Sequence, residues 1–391
     1  MLRSLFSGIS GLRAHQTMLD VTGNNIANVN TTGFKASQTQ FQDTLSQVLT
    51  NAGAAQDGVG GTNPAQVGLG VRVAGITTNF QQGAAQLTNR STDMMISGDG
   101  FFVVRKGMEQ LYTRAGAFDF DATGQLVTPD GGLVQGWAAD GAGNIDTNGT
   151  LVDLRLPIAT LMGAAATSSA TFEGNLPSEA TVGTTLNRDV DVYAADGTVS
   201  TLALAFTRTA LGWNVSGAIG TTNATGAMTF NADGTQATGG TLTVGAVTVD
   251  LSTITGFAGL DTVEASTQNG RAAGTLQSFT INADGTLLGS FSNGLKQALG
   301  RVALSTFTNP AGMEKAGGSL YRTTVNSGDA QIGAAGTGGR GDLTGGALEM
   351  SNVDLSAEFT NLIIAQRGFQ ANSRVITTSD ELLQELVNLK R

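Results

Sequence analysis

The chain has 391 residues, of which 55 are Gly and 52 Thr, and only 13% are charged, about half the usual share. It contains no Cys and one His, and its net charge is −10. Disulfides, thiolate metal sites, cysteine nucleophiles and multi-histidine metal cages are thereby excluded. A Ser-His-Asp triad would have only His15 for its base, and the basic footprint of a nucleic-acid binder is missing.

In chain order, the first predicted element is a helix. Leu5, Leu12, Leu19 and Ile26 fall at intervals of seven, with Leu2 and Ile9 on the neighbouring column. Such columns form one stripe of a helix. The helix runs to about Thr22 or a little beyond, weakened by Gly23-Asn24-Asn25, which favour caps and turns. The N-terminus lacks the apolar core and small-residue cleavage site of a secretory signal, and no apolar run is long enough to cross a membrane. Residues 46–70 are rich in Gly, Ala, Gln and Asn, as are residues 333–349 in Gly and Ala. Both stretches predict flexible linkers or arms.

The body between them reads as β-structure. Apolar residues alternate at Val190 and Val192, at Leu202, Leu204 and Phe206, and at Leu242 and Val244, the period of half-buried strands. The tetrapeptide Ala-Asp-Gly-Thr occurs at 195–198, 232–235 and 283–286, where Asp-Gly suits tight hairpin turns. A Thr-, Gly- and Ala-rich stretch without Lys divides the body. The organisation predicted is a core β domain from residues 71–163 and 271–332, with a second β domain, 164–270, inserted into it.

The last 40 residues carry the clearest periodicity. One column of sevens reads Leu355, Leu362, Phe369, Ile376, Leu383; the other reads Phe359, Gln366, Ser373, Asp380, Val387. Ser351 or Asp354 can cap this helix, Glu358 suits its first turn, and Lys390 and Arg391 suit its end. The fold class predicted is therefore a mainly β body of two nested antiparallel β domains. Long heptad-bearing helical segments flank it at 1–45 and 350–391. A long helix with a narrow stripe cannot bury that face alone, so the terminal helices are expected to pair with each other or with other subunits.

No residue set stands out as catalytic. Asp119-x-Asp121-x-Thr123 approximates a calcium loop but has no flanking helices, and a hairpin turn explains it equally well. Asn144-x-Asp146-x-Asn148-Gly149 is a weaker match. Arg340-Gly341-Asp342 spells an adhesion tripeptide inside a Gly-rich stretch, and Gly336-x-Gly-Gly-x-Gly has no strand before it. Catalytic residues, metal ligands and a cofactor are all expected to be absent.

Three separated stretches resemble the axial proteins of the bacterial flagellum: its rod, hook and hook-associated subunits. The first is Gly23-Asn-Asn-Ile-Ala-Asn-Val-Asn-Thr-Thr-Gly-Phe-Lys35, whose Asn24, Asn25, Ala27, Asn28, Gly33, Phe34 and Lys35 match the family signature. The second is Val67–Ile76 followed by Asp93–Phe102; the third runs from Gly346 through Ala365-Gln-Arg-Gly-Phe to Leu389. They occur in the family's order, and the length and inserted stretch favour the hook branch over the shorter distal-rod branch. The stretch 52–66 is nevertheless similar to a distal-rod arm.

The resemblance implies a non-enzymatic structural subunit. It would polymerise helically with itself into a curved hollow tube, a flexible coupling between motor rod and filament. Its implied partners are rod proteins, hook-cap and hook–filament junction proteins and the flagellar type III export apparatus, with no membrane insertion. Its place would be extracellular, reached without a cleavable signal. Leu5, Ile9, Leu12, Leu19, Ile26, Leu355, Phe359, Leu362, Phe369, Ile376, Leu383 and Val387 are the expected inter-subunit contacts, and both termini are expected to order on assembly. Two other readings are a distal-rod subunit and a calcium-binding β-rich surface adhesin.

Overall fold

The computed structural model describes residues 2–54, 60–156 and 161–388. Lys390 and Arg391, expected at the helix end, lie outside the described residues. The chain divides into two compact units, one of residues 1–156, 280–288 and 298–391, the other of residues 157–279 and 289–297.

The first unit carries both helices, α1 (Leu2–Ala27) and α2 (Leu355–Asn388). Its sheet is built around the hairpin Phe101–Lys106 and Glu109–Thr113, extended by Leu133–Ala138 on one side and by Leu320–Arg322 and Glu314–Gly317 on the other. The core beneath it is aromatic. Phe307 meets Phe101 and Tyr112 edge-on, with centroids 5.6 and 4.8 Å apart, and Trp137, Tyr321 and Val103 complete the cluster.

Parts of the stretches read as flexible linkers or arms are paired as strands. Ser46–Thr50 and Ala65–Gly68 form an antiparallel ribbon. Asp342–Gly345 pairs with Met94–Ser97, and Ala347–Glu349 with Ala85–Leu87. Gly- and Ala-rich sequence hides strands because backbone pairing needs no apolar alternation, only partners that tertiary structure supplies.

The second unit is two sheets packed face to face. The five strands Thr185–Tyr193, Val199–Arg208, Trp213–Ile219, Thr222–Phe230 and Gln236–Thr238 form an antiparallel meander. The other sheet has the order Thr241–Val244, Val247–Thr255, Ser169–Asn175, Glu264–Gln268. Leu202, Leu204, Phe206, Trp213 and Val215 of the meander share one buried cluster with Phe172, Val244, Val249 and Leu251 of the second sheet. The expectation of purely antiparallel domains fails here, because Ser169–Asn175 and Val247–Thr255 run parallel. A parallel pair needs a long crossover, and the whole meander serves as that connection.

The repeated tetrapeptides all lie in turns. Gly197, Gly234 and Gly285 have φ of 85°, 79° and 82°. At two of them Thr198 and Thr235 donate both backbone N–H and hydroxyl to Oδ1 of Asp196 and Asp233. These bonds hold both carboxyls below the usual carboxylate range.

The calcium reading gives way to the same chemistry. Asp121 Oδ1 accepts from the N–H groups of Thr123 and Gln125 in a hairpin turn. Among the described residues no group of three or more acidic or histidine side chains could hold a metal ion. The adhesion tripeptide is folded inward: Arg340 Nε donates to the Ala334 carbonyl and Nη2 to Thr337 Oγ1, at 3.0 Å each.

Candidate assembly interface

The helices start where local chemistry directs. Asp354 caps α2, its Oδ1 accepting from Ser356 N at 2.9 Å and Ala357 N at 3.2 Å. α1 continues through Gly23-Asn24-Asn25 to Ala27, because Asn25 finds partners outside the helix. Asn25 Nδ2 donates to the Ser37 carbonyl at 2.7 Å and to Glu358 Oε1 of α2 at 2.9 Å, and its Oδ1 accepts from Ser37 N.

The two helices pair antiparallel within the single chain. Ser4 meets Ser379 at one end (Oγ–Oγ 3.5 Å) and Asn25 meets Glu358 at the other. Between them the seam is made of small residues. A Cβ on Gly8 would lie 3.3 Å from Ile376, one on Gly11 2.7 Å from Asn372, and one on Gly368 2.5 Å from the His15 ring. In the single chain the two terminal helices cover one face of each other.

The α2 residues facing α1 within the chain include Glu358, Ala365, Asn372, Ile376 and Ser379. Leu362, Phe369, Ile376 and Leu383 are half-buried, as are Leu5, Ile9, Leu12, Leu19 and Ile26. Leu355, Phe359 and Val387 are exposed. The sequence reading also missed Ile363, Ile364, Val375 and Leu382, all exposed on α2. Ile364, Val375 and Leu382 are spaced by eleven and seven, so they form a second apolar stripe, which borders the α1 seam at Val375 and is about half exposed.

Behind the helix pair, the signature motif forms a buried knot with the segment preceding α2. Lys35 and Glu349 are both fully buried; Lys35 Nζ donates to Glu349 Oε1 at 2.6 Å and to the Gln81 carbonyl at 2.7 Å. Glu349 Oε1 also accepts from Gly83 N, and Arg114 Nη1 stands 3.6 Å from Oε2. Burial drives the Lys35 ammonium below its ordinary pKa against the pull of Glu349. Gly33 donates its N–H to the Glu349 carbonyl with φ of 67°, and a Cβ there would lie 2.5 Å from Ala115 N. Only Gly fits. Asn352 closes the knot: its Oδ1 accepts from Ala36 N, and its Nδ2 donates to the Asn79 and Gln81 carbonyls.

The remaining motif residues face outward. Asn28 Nδ2 donates to the Asn24 carbonyl, Ala27 is exposed, and Lys315 lies 5.2 Å over the Phe34 ring. Asn24, Asn28 and Phe34 line a cleft of about 530 Å³ with Lys315 and Tyr321.

Comparison with known proteins bears on this arrangement directly. The family model described as flagella basal body rod protein matches residues 5–35. The flagellar hook protein FlgE/F/G D1 domain matches 95–160, and the flagellar basal body rod FlgEFG protein C-terminal model matches 344–389. The flagellar hook protein FlgE of Borreliella burgdorferi is 40% identical over the full length of both chains. The chain belongs to the flagellar hook protein FlgE family. It is a structural hook subunit, and neither the distal-rod nor the adhesin reading gains support.

Other relatives of this family chain include the FlgE of Salmonella typhimurium, 35% identical over 99% of this chain and all of its own. The flagellar basal-body rod protein FlgG of Bacillus subtilis is 35% identical over all of both chains. The crystal structure of Helicobacter pylori hook protein FlgE2, with a TM-score of 0.54 and 14% identity, covers 68% of this chain and 100% of that one, a likeness of fold. The matched family models include both halves of the knot, Lys35 and Glu349.

The small-residue seam makes the helix pair of this hook subunit sensitive to bulk. Gly368→Val is expected to destabilise it by about 1–3 kcal/mol, since the added methyls must displace His15 from a packed interface. The readout is earlier melting of the helical circular-dichroism signal, with the β signal retained. An unchanged melt would show that the helices do not pack in this register.

Proposed function

We propose that the chain assembles helically with itself through its paired terminal helices, forming the curved hollow tube of the hook. The observation that carries this reading is the open stripe Ile364, Val375 and Leu382 on α2. One face of α2 is satisfied by α1, and the other offers apolar surface to a neighbouring subunit. Leu355, Phe359 and Ile363 are further exposed apolar side chains near the start of the helix, on another side of it from that stripe. The half-buried leucines of α1 and the outward motif residues Asn24, Asn28 and Phe34 are assigned to neighbouring-subunit contacts on the same reading. The β units form the outer wall. Their low charge suits a wall that bends, since few ion pairs must break as subunits slide.

Rod proteins at one end, cap and junction proteins at the other, and delivery outside the cell by the flagellar type III apparatus complete the proposal. Electron microscopy of the full chain beside a truncation lacking residues 355–391 tests it. Curved tubes from the full chain and none from the truncation are expected. Tubes of normal length from the truncation would overturn the role given to α2, and straight tubes would overturn the hook geometry.

A further inference from the structure

The sequence contains three Asn-Gly pairs: Asn148-Gly149, Asn269-Gly270 and Asn293-Gly294. In such pairs the following backbone nitrogen has no neighbouring Cβ to shield it and can reach the side-chain carbonyl. Once it gives up its proton it attacks the asparagine Cγ. The bond from Cγ to the side-chain nitrogen breaks, ammonia leaves, and a five-membered succinimide forms. Water then opens the ring at either carbonyl, leaving aspartate or, with an extra methylene in the backbone, isoaspartate. The reaction needs only water and a side-chain amide free to rotate.

Two of the three amides are held. Asn269 Oδ1 accepts from Ser168 N at 2.9 Å and Ser169 N at 3.0 Å, and its Nδ2 donates to Ser168 Oγ at 2.8 Å. Asn293 Nδ2 donates to the Ala272 carbonyl at 2.9 Å while its Oδ1 accepts from Leu295 N. Asn148 differs. It lies exposed in a turn, and its side-chain amide bonds no protein group among the described residues. Its own N–H is held by Asp146 Oδ1 at 2.9 Å, whereas Gly149 N has only a long 3.4 Å contact to the Asp146 carbonyl.

We infer that Asn148 is a site of spontaneous deamidation in the folded chain, and that its conversion is transmitted to the aromatic core of the first unit. The link is the Gly149 carbonyl, which accepts from Trp137 Nε1 at 3.1 Å. Trp137 is a buried member of the Phe101–Phe307–Tyr321 cluster. Isoaspartate lengthens the backbone immediately before that acceptor, and either product adds a carboxylate close to Asp146.

The parallel reaction at the repeated Asp-Gly turns should be slowed, because ring closure from aspartate goes through the neutral acid and the bonds that Thr198 and Thr235 donate to Asp196 and Asp233 favour the ionised carboxylate.

The test is to age the full-length protein in warm, mildly alkaline buffer, digest it, and follow the three asparagine peptides by mass spectrometry. Asn148 is expected to convert, with isoaspartate and aspartate both present. Asn269 and Asn293 should be slower by about tenfold or more, the cost of breaking the bonds that hold them. In urea the three rates should converge. Tryptophan fluorescence of the wild type should drift on the timescale of conversion, and that of Asn148→Gln should not. Conversion of Asn148 no faster than the other two, or none at all, would overturn the site. A fluorescence drift retained in Asn148→Gln would overturn the link to Trp137.

Discussion

Glu349→Ala is expected to lower the unfolding free energy of the first unit by about 3–5 kcal/mol, the usual cost of breaking a buried ion pair. Nothing nearby replaces the lost carboxylate. Lys35 Nζ would keep only the Gln81 carbonyl, Gly83 N–H would lose its acceptor, and Arg114 would lose the stronger of its two carboxylate neighbours, keeping Asp99. Lys35→Ala should cost a similar amount by stranding Glu349. The double variant Lys35→Met with Glu349→Leu should recover much of the loss, because apolar pairs of similar volume often match a buried salt bridge. Urea unfolding measures all of these. The signal to follow is α-helical, since the knot anchors the segments leaving α1 and entering α2. A single-variant loss under about 1 kcal/mol would place the pair in the class of surface ion pairs and sink the assignment. Lys35→Arg should not rescue, because a guanidinium is too broad for a point-charge site between Glu349 and a carbonyl.

Much of the architecture could be read from spacing. Val190 and Val192, with Leu202, Leu204 and Phe206, alternate in sequence and sit in strands of one meander. The Asp-Gly-Thr repeats mark turns, because Gly197 and its equivalents need positive φ. The terminal heptads mark helices. What spacing could not reveal is which face of each helix meets which partner. The seam uses Gly8, Gly11, Ala365 and Gly368, and glycine in a helix reads as weakness until a second helix approaches closely enough to need it. The leucine columns were therefore legible as helical stripes, whereas the small residues that bring the two helices together were not.

The knot was half legible. The Asn24–Lys35 signature stood out as a motif, yet its partner Glu349 is 314 residues away in sequence. An isolated glutamate in a Gly-rich stretch carries no local sign that it will be buried. The parallel strand pair was hidden in the same way. Direction of pairing depends on the path of the intervening chain, and neither Ser169–Asn175 nor Val247–Thr255 encodes that path.

The open stripe on α2 carries the largest expected effect on assembly. Replacing Ile364, Val375 and Leu382 together with Ser should leave the monomer folded, because all three are about half exposed in the single chain and only Val375, at the edge of the α1 seam beside Gly8, approaches the other helix. Full burial of such side chains is worth about 1.5–3 kcal/mol each. These are 53%, 43% and 52% exposed, so roughly half of that value remains for a neighbouring subunit to collect. The triple variant should then lose about 2–4 kcal/mol per subunit contact, equivalent to a rise in critical concentration of about 30- to 1,000-fold. Sedimentation of polymer against monomer across a concentration series measures that rise, and circular dichroism confirms that the variant retains its helices. Charge reversal at exposed Arg367 and Arg374 on the same helix is the contrast, expected to shift the critical concentration much less and in a salt-dependent way. If the triple variant polymerises at the wild-type concentration while the arginine variants do not, the stripe faces solvent in the tube. Charge, rather than apolar burial, would then hold the subunits together.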